Sequence, residues 1–202
     1  MKTFNQTFDK LYDDQHDHDY EFEKSYWGNC CNTFDEDQKH YVYGRYMNLP
    51  RSHYSFILSE SNRILDIGGG PSSMLLKTKG LHYGMVVDPI DYPSWVMDRY
   101  AIMNITYRQD VGENAIFDKE FDEVWIYNCM QHAIDPEKII HNAKTAASRL
   151  RIFEWIDIPA HDGHPHMLTE RSLNNYIGQN GNVSDIAEQG CYGKAYYGVF
   201  DF

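Results

Sequence analysis

Short apolar runs alternate with helix-forming stretches between residue 63 and about residue 178, and this alternation constrains the fold more than any other feature of the chain. The runs RILDI (63–67), YGMVVDP (83–89) and FDEVWIYN (121–128) have the length and composition of strands buried on both faces. Successive strands that are joined by helices pair in parallel through right-handed crossovers. The sequence therefore predicts an α/β fold of the Rossmann-like, doubly wound type.

The remaining elements predict a mostly parallel sheet of seven strands. Further strands are expected at NITYRQD (104–110) and RLRIFEWIDI (149–158), and the segments 183–190 and 194–202 predict a C-terminal antiparallel hairpin that turns at CYGK. Helices are predicted at residues 71–80, 92–102, 135–148 and 169–178. Gly80 is expected to end the first of these helices.

Composition and charge narrow the classes of partner. The chain has 202 residues, 42% apolar and 24% charged, and no apolar run approaches the roughly 20 residues that span a bilayer. The formal net charge is −12 and Lys and Arg do not cluster, so nucleic acid is not expected as a partner. The four cysteines show no CxxC spacing, and the N-terminus lacks the apolar stretch of a secretory signal. We therefore expect a cytoplasmic protein with a small-molecule partner and no membrane.

Three consecutive glycines, Gly68, Gly69 and Gly70, follow the first predicted strand in the segment ILDIGGGPSS (64–73). Glycine lets the backbone approach a ligand closely and adopt positive φ, and the start of the following helix would offer free N–H groups. Ligands of parallel sheets bind beyond the carboxyl ends of the strands, where this turn lies. The alternative is a tight strand–helix turn without a ligand.

Three carboxylates, Asp66, Asp88 and Asp110, lie at the ends of three successive predicted strands. Asp88 is placed to accept hydrogen bonds from a ribose diol. Asp110 could accept from an exocyclic adenine amine, with Val111 packing on the ring. Each acid alone could be a solvated turn residue, but their joint placement favours a ligand site.

From about residue 60 to its end, the chain resembles the class I S-adenosylmethionine-dependent methyltransferases. ILDIGGG is similar to their first motif and VVDP (86–89) to their second, although Ser72 stands at a position that is commonly glycine. Residues 109–140 resemble the region in which many members have an acid, a short loop, FD, a strand and a segment ending in DP. The resemblance implies S-adenosylmethionine as the cofactor and methyl transfer to an oxygen or nitrogen atom of a small molecule.

The resemblance also implies roles for individual residues. The glycine turn would hold the methionine part of the cofactor, Asp66 would orient the turn or the cofactor amine, and Asn128 would lie beside the sulfonium. The implied cofactor-binding residues are Asp66, Gly68, Gly69, Gly70, Asp88, Asp110, Val111 and Asn128.

The acceptor is expected at the ends of the fourth and fifth strands. NCMQ (128–131) replaces the Asn/Asp-Pro-Pro-aromatic motif of enzymes that methylate exocyclic base nitrogens. His132 is either a general base or a packing residue at the pocket edge. The segment HDGHPH (161–166) is a substrate contact, a metal site or a plain loop. We take His132 and His166 as candidate catalytic residues and His164 as a substrate contact, and we expect no metal.

Residues 1–60 are predicted to form a largely helical lid or cap segment, and residues 61–202 the cofactor-binding domain. Trp27 and Tyr43 would wall the acceptor pocket, although aromatic spacing of this kind also indicates core packing. Two other functions stay open: a cofactor- or nucleotide-binding module without turnover, and an NAD-type oxidoreductase, which is less favoured although it shares the fold.

Overall fold

The computed structural model describes residues 21–161 and 163–202, without the side chains of residues 59–61. The first third of the predicted lid, residues 1–20, lies outside the described residues. Residues 21–27 are helical. In the described part of the chain, no helix has the length and apolar character needed to cross a membrane.

One sheet of eight strands forms the centre of the fold. Its strands are β1 (Arg51–Ser52), β2 (Ser55–Ile67), β3 (Thr78–Asp88), β4 (Ile105–Gln109), β5 (Glu123–Tyr127), β6 (Arg149–Trp155), β7 (Asn182–Glu188) and β8 (Cys191–Asp201). The strand order is β4-β3-β2-β5-β6-β8-β7, with β1 on β2. The pairs from β4 to β6 are parallel, while β8 is antiparallel to β6 and β7. The predicted sheet and its C-terminal antiparallel hairpin are confirmed, with the two-residue β1 added.

Helices cover both faces of the sheet. They are α1 (Thr33–Tyr46), α2 (Ser94–Ile102), α3 (Pro136–Ala146) and α4 (Glu170–Ile177). On one face, Tyr43 of α1 and Tyr100 of α2 share an apolar cluster with Trp125 of β5. On the other face, Ile140 of α3 and Leu173 of α4 share a second cluster with other sheet residues. The alternation of β5 side chains between these clusters produces the three-layer arrangement.

The predicted helix at residues 71–80 is wrong. Met74–Lys77 forms only a 3-10 turn, and β3 begins at Thr78, which pairs with Phe56 of β2. Gly80 lies in β3 with a φ of 90°, where an added Cβ atom would stand 2.7 Å from the carbonyl oxygen of Leu58. Gly80 therefore allows β2 and β3 to approach each other and does not end a helix.

The turn of the C-terminal hairpin is also displaced from its predicted place at CYGK. Gln189 and Gly190 both have positive φ, 48° and 80°, and Glu188 pairs directly with Cys191. Positive φ at both central residues is typical of the two-residue type I′ turn, which matches the twist of a hairpin.

Helix α1 covers the sheet face next to the glycine turn. Its residues Val42 and Tyr43 are fully buried, and the ring centroids of Tyr43 and Phe153 of β6 are 4.6 Å apart. α1 thus packs on the sheet where the predicted helix at residues 71–80 is absent. The division of the chain at residue 60 stays a prediction.

Candidate functional site

A cavity of about 390 Å³ opens at the carboxyl ends of β2, β3, β5 and β6. This volume lies in the range of about 300–1,000 Å³ that is typical of small-molecule sites. The lining includes the predicted site residues Trp27, Gly68, Gly69, Gly70, Asp88, Val111, Asn128, His132 and His164. The lining does not include the predicted site residues Tyr43, Asp66, Asp110 and His166.

Each of the three glycines in the turn is needed for a structural reason of its own. A Cβ atom added to Gly68 would lie 2.5 Å from Cβ of Cys129. A Cβ atom added to Gly69 would lie 2.6 Å from Oδ2 of Asp66. At Gly70 the nearest atoms would be 3.9 Å away, but φ is 63°. The first two glycines allow close packing beneath the turn, and Gly70 allows the left-handed backbone that faces the cavity.

Backbone N–H groups of the turn are largely used by the protein itself. The bonds are Gly68 N to Val87 O (2.8 Å), Gly70 N to Asp88 Oδ2 (3.0 Å), Ser73 N to the Tyr100 hydroxyl (3.0 Å) and Met74 N to the Tyr127 hydroxyl (2.9 Å). The expectation of free N–H groups at a helix start is therefore wrong, because no helix follows and these donors have partners. Neither tyrosine is predicted from the sequence, where only the position of Tyr127 at a strand end indicates a role.

Asp66 lies beneath the turn and is fully buried. Its Oδ2 accepts hydrogen bonds from Ser73 Oγ at 2.5 Å and from the Tyr127 hydroxyl at 2.6 Å. Burial, partly offset by these two bonds, raises the pKa of Asp66 to about 7. Its Oδ1 has no hydrogen-bond partner among the described residues. Asp66 thus holds the turn in place from beneath, outside the cavity lining.

Asp88 lines the cavity at the end of β3 and is 6% exposed. Its Oδ1 accepts from Ile90 N at 3.2 Å and from the Tyr92 hydroxyl at 3.1 Å, in addition to the Oδ2 bond from Gly70. Burial raises the pKa of Asp88 to about 6, against the opposing effect of these bonds. The carboxylate therefore fixes the glycine turn and stands at the cavity wall.

The structure places Asp110 differently from the expectation of an adenine contact. Its carboxylate accepts from Arg108 at 2.5 Å, from Val111 N at 2.9 Å and from Asn114 at 3.1 Å. Asp110 lies outside the cavity lining, whereas Val111 lies in it. Asp110 therefore orders the loop that presents Val111, since its own oxygens are bonded within that loop.

Asn128 follows β5 with a φ of 50°, an uncommon backbone conformation for a residue other than glycine. Its Nδ2 is 3.4 Å from Oε1 of Glu36 in α1, and its Oδ1 accepts from Gln131 at 3.3 Å. This conformation turns the amide side chain toward the cavity side of the sheet edge, where it meets α1.

His132 lies in the 3-10 turn Met130–His132 and lines the cavity. Its Nδ1 is 2.5 Å from the carbonyl oxygen of Gly163 and 3.3 Å from Oε1 of Glu23. A carbonyl oxygen only accepts, so Nδ1 carries the proton and Nε2 is the basic nitrogen of the neutral ring. Burial raises the pKa of Glu23 to about 7.

The segment 161–166 contributes His161 and His164 to the cavity lining. The ring centroids of His132 and His164 are 4.5 Å apart, and burial followed by the charges of His132 and His161 lowers the pKa of His164 to about 4. No group of His, Cys, Asp and Glu in residues 21–161 and 163–202 is arranged to hold a metal ion. His166 lies away from the cavity, where its Nε2 donates to the carbonyl oxygen of Ile134 at 2.9 Å.

We predict that the contribution of the Asp66 carboxyl to the free energy of unfolding falls as the pH rises from about 4 to 7. The unfolded carboxyl of Asp66 ionises near its usual 3.8, whereas the folded one keeps its proton up to about 7. Between these values the folded protein binds more protons, so the stabilising proton is fully present below about 4 and is lost as the pH passes 7. Asp88 and Glu154, with pKa values raised to about 6 and about 7, act in the same direction.

Asp66→Asn tests this prediction because the amide oxygen can still accept the Ser73 and Tyr127 bonds. Urea denaturation at pH 5 and pH 8 should show that the wild-type protein loses stability relative to the variant as the pH rises. An equal loss in both proteins would contradict the assignment of this pH dependence to Asp66.

No protein-family model and no curated protein matches the chain. Solved structures do match. One is from the complex between the Haloferax volcanii Trm112 methyltransferase activator and a methyltransferase, with a TM-score of 0.61, 13% identity, and coverage of 89% of this chain and 95% of that one. Another is the Burkholderia thailandensis 1,6-didemethyltoxoflavin-N1-methyltransferase with 1,6-didemethyltoxoflavin and S-adenosylhomocysteine bound. Its TM-score is 0.58 at 10% identity, with coverage of 100% of this chain and 91% of that one.

Many of the matching structures are S-adenosylmethionine-dependent methyltransferases, and the chain has the class I methyltransferase fold. The same fold also matches the [4+2]-cyclase SpnF, with a TM-score of 0.55, 14% identity, and coverage of 74% of this chain and 58% of that one. Since one fold serves different reactions, the reaction of this chain has to be argued from its site.

Proposed function

We propose that the cavity binds S-adenosylmethionine and that the protein transfers its methyl group to a small-molecule acceptor. One observation carries this proposal: in a methyltransferase fold, a glycine turn with a left-handed Gly70 and the adjacent carboxylate of Asp88 together line a ligand-sized cavity. Asp66 would act through the turn, since it bonds Ser73 and Tyr127 beneath it and does not line the cavity.

The residues present fit this cofactor. The glycine turn and Asp66 would hold its amino-acid part, Asp88 its ribose, Val111 its adenine ring and Asn128 its reactive end. The bound cofactor supplies an activated methyl group. The protein then has to orient the reactants and exclude water. Correct orientation of the reactants by itself can accelerate a reaction strongly. The Asp110 carboxylate would act only by ordering the loop before Val111.

The acceptor would bind on the side of the cavity lined by His132, His164 and Trp27. With its proton on Nδ1, His132 has Nε2 as its basic nitrogen. This nitrogen lies 3.5 Å from Nε2 of Gln131, and an acceptor hydroxyl or amine would replace that contact to pass its proton to the ring. His164 stays neutral at pH 7 and would contribute a polar wall. His166 would act through the position of its loop, since it bonds the Ile134 carbonyl and lies outside the lining. Tyr43 would support the cavity from the core.

A small-molecule acceptor is favoured over nucleic acid by the formal net charge of −12. The Burkholderia neighbour, which has a small molecule bound, supports the same class of acceptor. All four cysteines are free thiols, which supports a reducing compartment and hence the cytoplasm.

We predict that Asp88→Ala weakens the binding of S-adenosylhomocysteine by about 1.5–3 kcal/mol, or tenfold and more, because a charged hydrogen-bond acceptor is lost at the cavity wall. Isothermal titration calorimetry of the folded variant measures this change. Asp98→Ala, which removes an exposed carboxylate from α2, is the matched control and should bind as the wild type does. Equal affinities of the two variants would remove Asp88 from the site.

The same titration separates the proposed function from its rivals. An NAD-type oxidoreductase would bind NADH and not S-adenosylhomocysteine. A binding module without turnover would bind S-adenosylhomocysteine. It would not convert S-adenosylmethionine to S-adenosylhomocysteine when any extract of small metabolites is supplied as the source of acceptors. Mass spectrometry of such reactions should instead show S-adenosylhomocysteine together with a product heavier by one methyl group.

A further inference from the structure

We propose that four residues, Asp37 and His40 of α1 with Ser72 and Lys77, form a clasp that holds the glycine turn in its ligand-binding conformation. This α1 clasp rests on the proposed function and adds positioning residues to it. Asp37 and Lys77 do not line the cavity, so they would act through Ser72, which does.

The clasp is a connected set of short polar contacts. Ser72 Oγ donates to Oδ1 of Asp37 at 2.5 Å. Lys77 Nζ donates to the backbone oxygen of Asp37 at 2.6 Å and lies 3.1 Å from its Oδ1. The same Nζ is 3.0 Å from Nδ1 of His40. Asp37 therefore receives bonds from Ser72, which precedes the 3-10 turn Met74–Lys77, and from Lys77, which ends it.

His40 accepts a hydrogen bond from Lys77 and carries no positive charge of its own. An ammonium group only donates, so Nδ1 of His40 accepts and its other nitrogen carries the proton. His40 is fully buried, and this burial, followed by the charges of Lys77 and Lys39, lowers its pKa well below the usual range. The ring is therefore neutral and can accept the Lys77 bond at any physiological pH.

The absence of a helix after the turn explains why such a clasp is needed. A full helix at residues 71–80 would fix the turn through its own backbone bonds, but only one 3-10 turn is present. Asp88 at the end of β3 holds the backbone at Gly70, and Tyr100 of α2 holds it at Ser73. Ser72 is 2% exposed, and its side chain joins the turn to α1. The turn is thus held by side chains from the sheet, from α2 and from α1.

Asp37→Leu removes the clasp without touching the cavity lining. We expect it to weaken S-adenosylhomocysteine binding about tenfold in calorimetry, because the lost bond involves a charged acceptor. Asp37→Asn keeps an acceptor oxygen and should stay within about threefold of the wild type. The double variant Ser72→Ala/Asp37→Leu should bind no more weakly than Asp37→Leu alone, because Asp37→Leu already removes the bond that Ser72→Ala would remove.

Arg45→Gln is the matched control, since Arg45 ties the other end of α1 to Glu188 of β7. It should leave the affinity unchanged. Equal weakening by Arg45→Gln, additive effects in the double variant, or an unchanged affinity of Asp37→Leu would overturn the clasp. If the wild-type protein does not bind S-adenosylhomocysteine, the proposed function fails instead.

Amide hydrogen exchange of residues 68–75 in the ligand-free protein tests the clasp independently of any cofactor. Asp37→Leu should speed exchange in this segment about tenfold while the strands β5 and β6 keep their wild-type protection. Arg45→Gln should leave the segment unchanged. Wild-type protection of residues 68–75 in Asp37→Leu would show that the sheet alone orders the turn.

Discussion

Replacing Gly70 by valine is expected to lower the affinity for S-adenosylhomocysteine by at least about a hundredfold, or about 2.8 kcal/mol. Gly70 has a φ of 63°, a conformation that a β-branched residue essentially does not adopt. Tyr100 donates to the Gly70 carbonyl at 2.6 Å and Asp88 accepts from its N–H, so a changed φ would displace both partners. The added side chain would also project toward Trp27 and Tyr92 at the cavity.

Gly178→Val is the matched control for this prediction. Gly178 ends α4 with a φ of 80°, and an added Cβ atom would meet no close neighbour, since the nearest atom is Nζ of Lys144 at 3.8 Å. Both variants therefore carry similar backbone strain, but only Gly70 lies at the cavity. Calorimetry of the folded proteins should show lost affinity for Gly70→Val alone, with both losing stability in urea. Wild-type affinity of Gly70→Val would make the turn a purely structural feature.

Local signals in the sequence were sufficient for the helices α3 and α4. Asp135 caps α3 by accepting from Lys138 N at 3.0 Å, as its position before Pro136 predicts. Thr169 begins α4 and Gly178 ends it in the left-handed conformation. Such boundaries are predictable because capping bonds join residues that are close in sequence.

The error at residues 71–80 arose because tertiary pairing overrode local pattern. The stretch MLLKTKG reads as a helix with a glycine stop, but Thr78 and Lys79 gain backbone bonds to β2. Nothing in the segment itself reveals that β2 begins as early as Ser55. The pairing of strands that are far apart in the sequence therefore cannot be recognised from the local pattern of one segment.

The candidate site also combines features that the sequence predicts with features that depend on tertiary packing. Strand-end positions correctly indicated where Asp88 and the glycine turn would lie relative to the sheet edge. The partners that occupy the hydrogen-bonding groups of the site, such as Tyr100 and Asp37, come from helices whose approach depends on packing. Asp110 and His166 were assigned to the ligand because their loops leave the correct edge, yet their side chains bond within the protein.

Helix α1 belongs energetically to the core, and Tyr43→Ala tests this statement. The Tyr43 side chain is fully buried, with its ring near those of Phe153 and Tyr127. Truncating a large buried aromatic side chain removes its apolar burial and leaves a cavity, so we expect a loss of about 3–5 kcal/mol in the free energy of unfolding. This loss is a large part of the roughly 5–15 kcal/mol that stabilises a typical domain.

Tyr54→Ala is the matched control because Tyr54 is 77% exposed. A surface truncation of this kind should change the free energy of unfolding by less than about 0.5 kcal/mol. Urea denaturation followed by tryptophan fluorescence measures both variants, and the Tyr43 variant should unfold in one cooperative transition at lower urea. A detachable lid would behave differently: Tyr43→Ala would then leave the main transition in place and release only α1. The first outcome would mean that deleting the N-terminal segment through α1 unfolds the sheet and does not leave an open cofactor site.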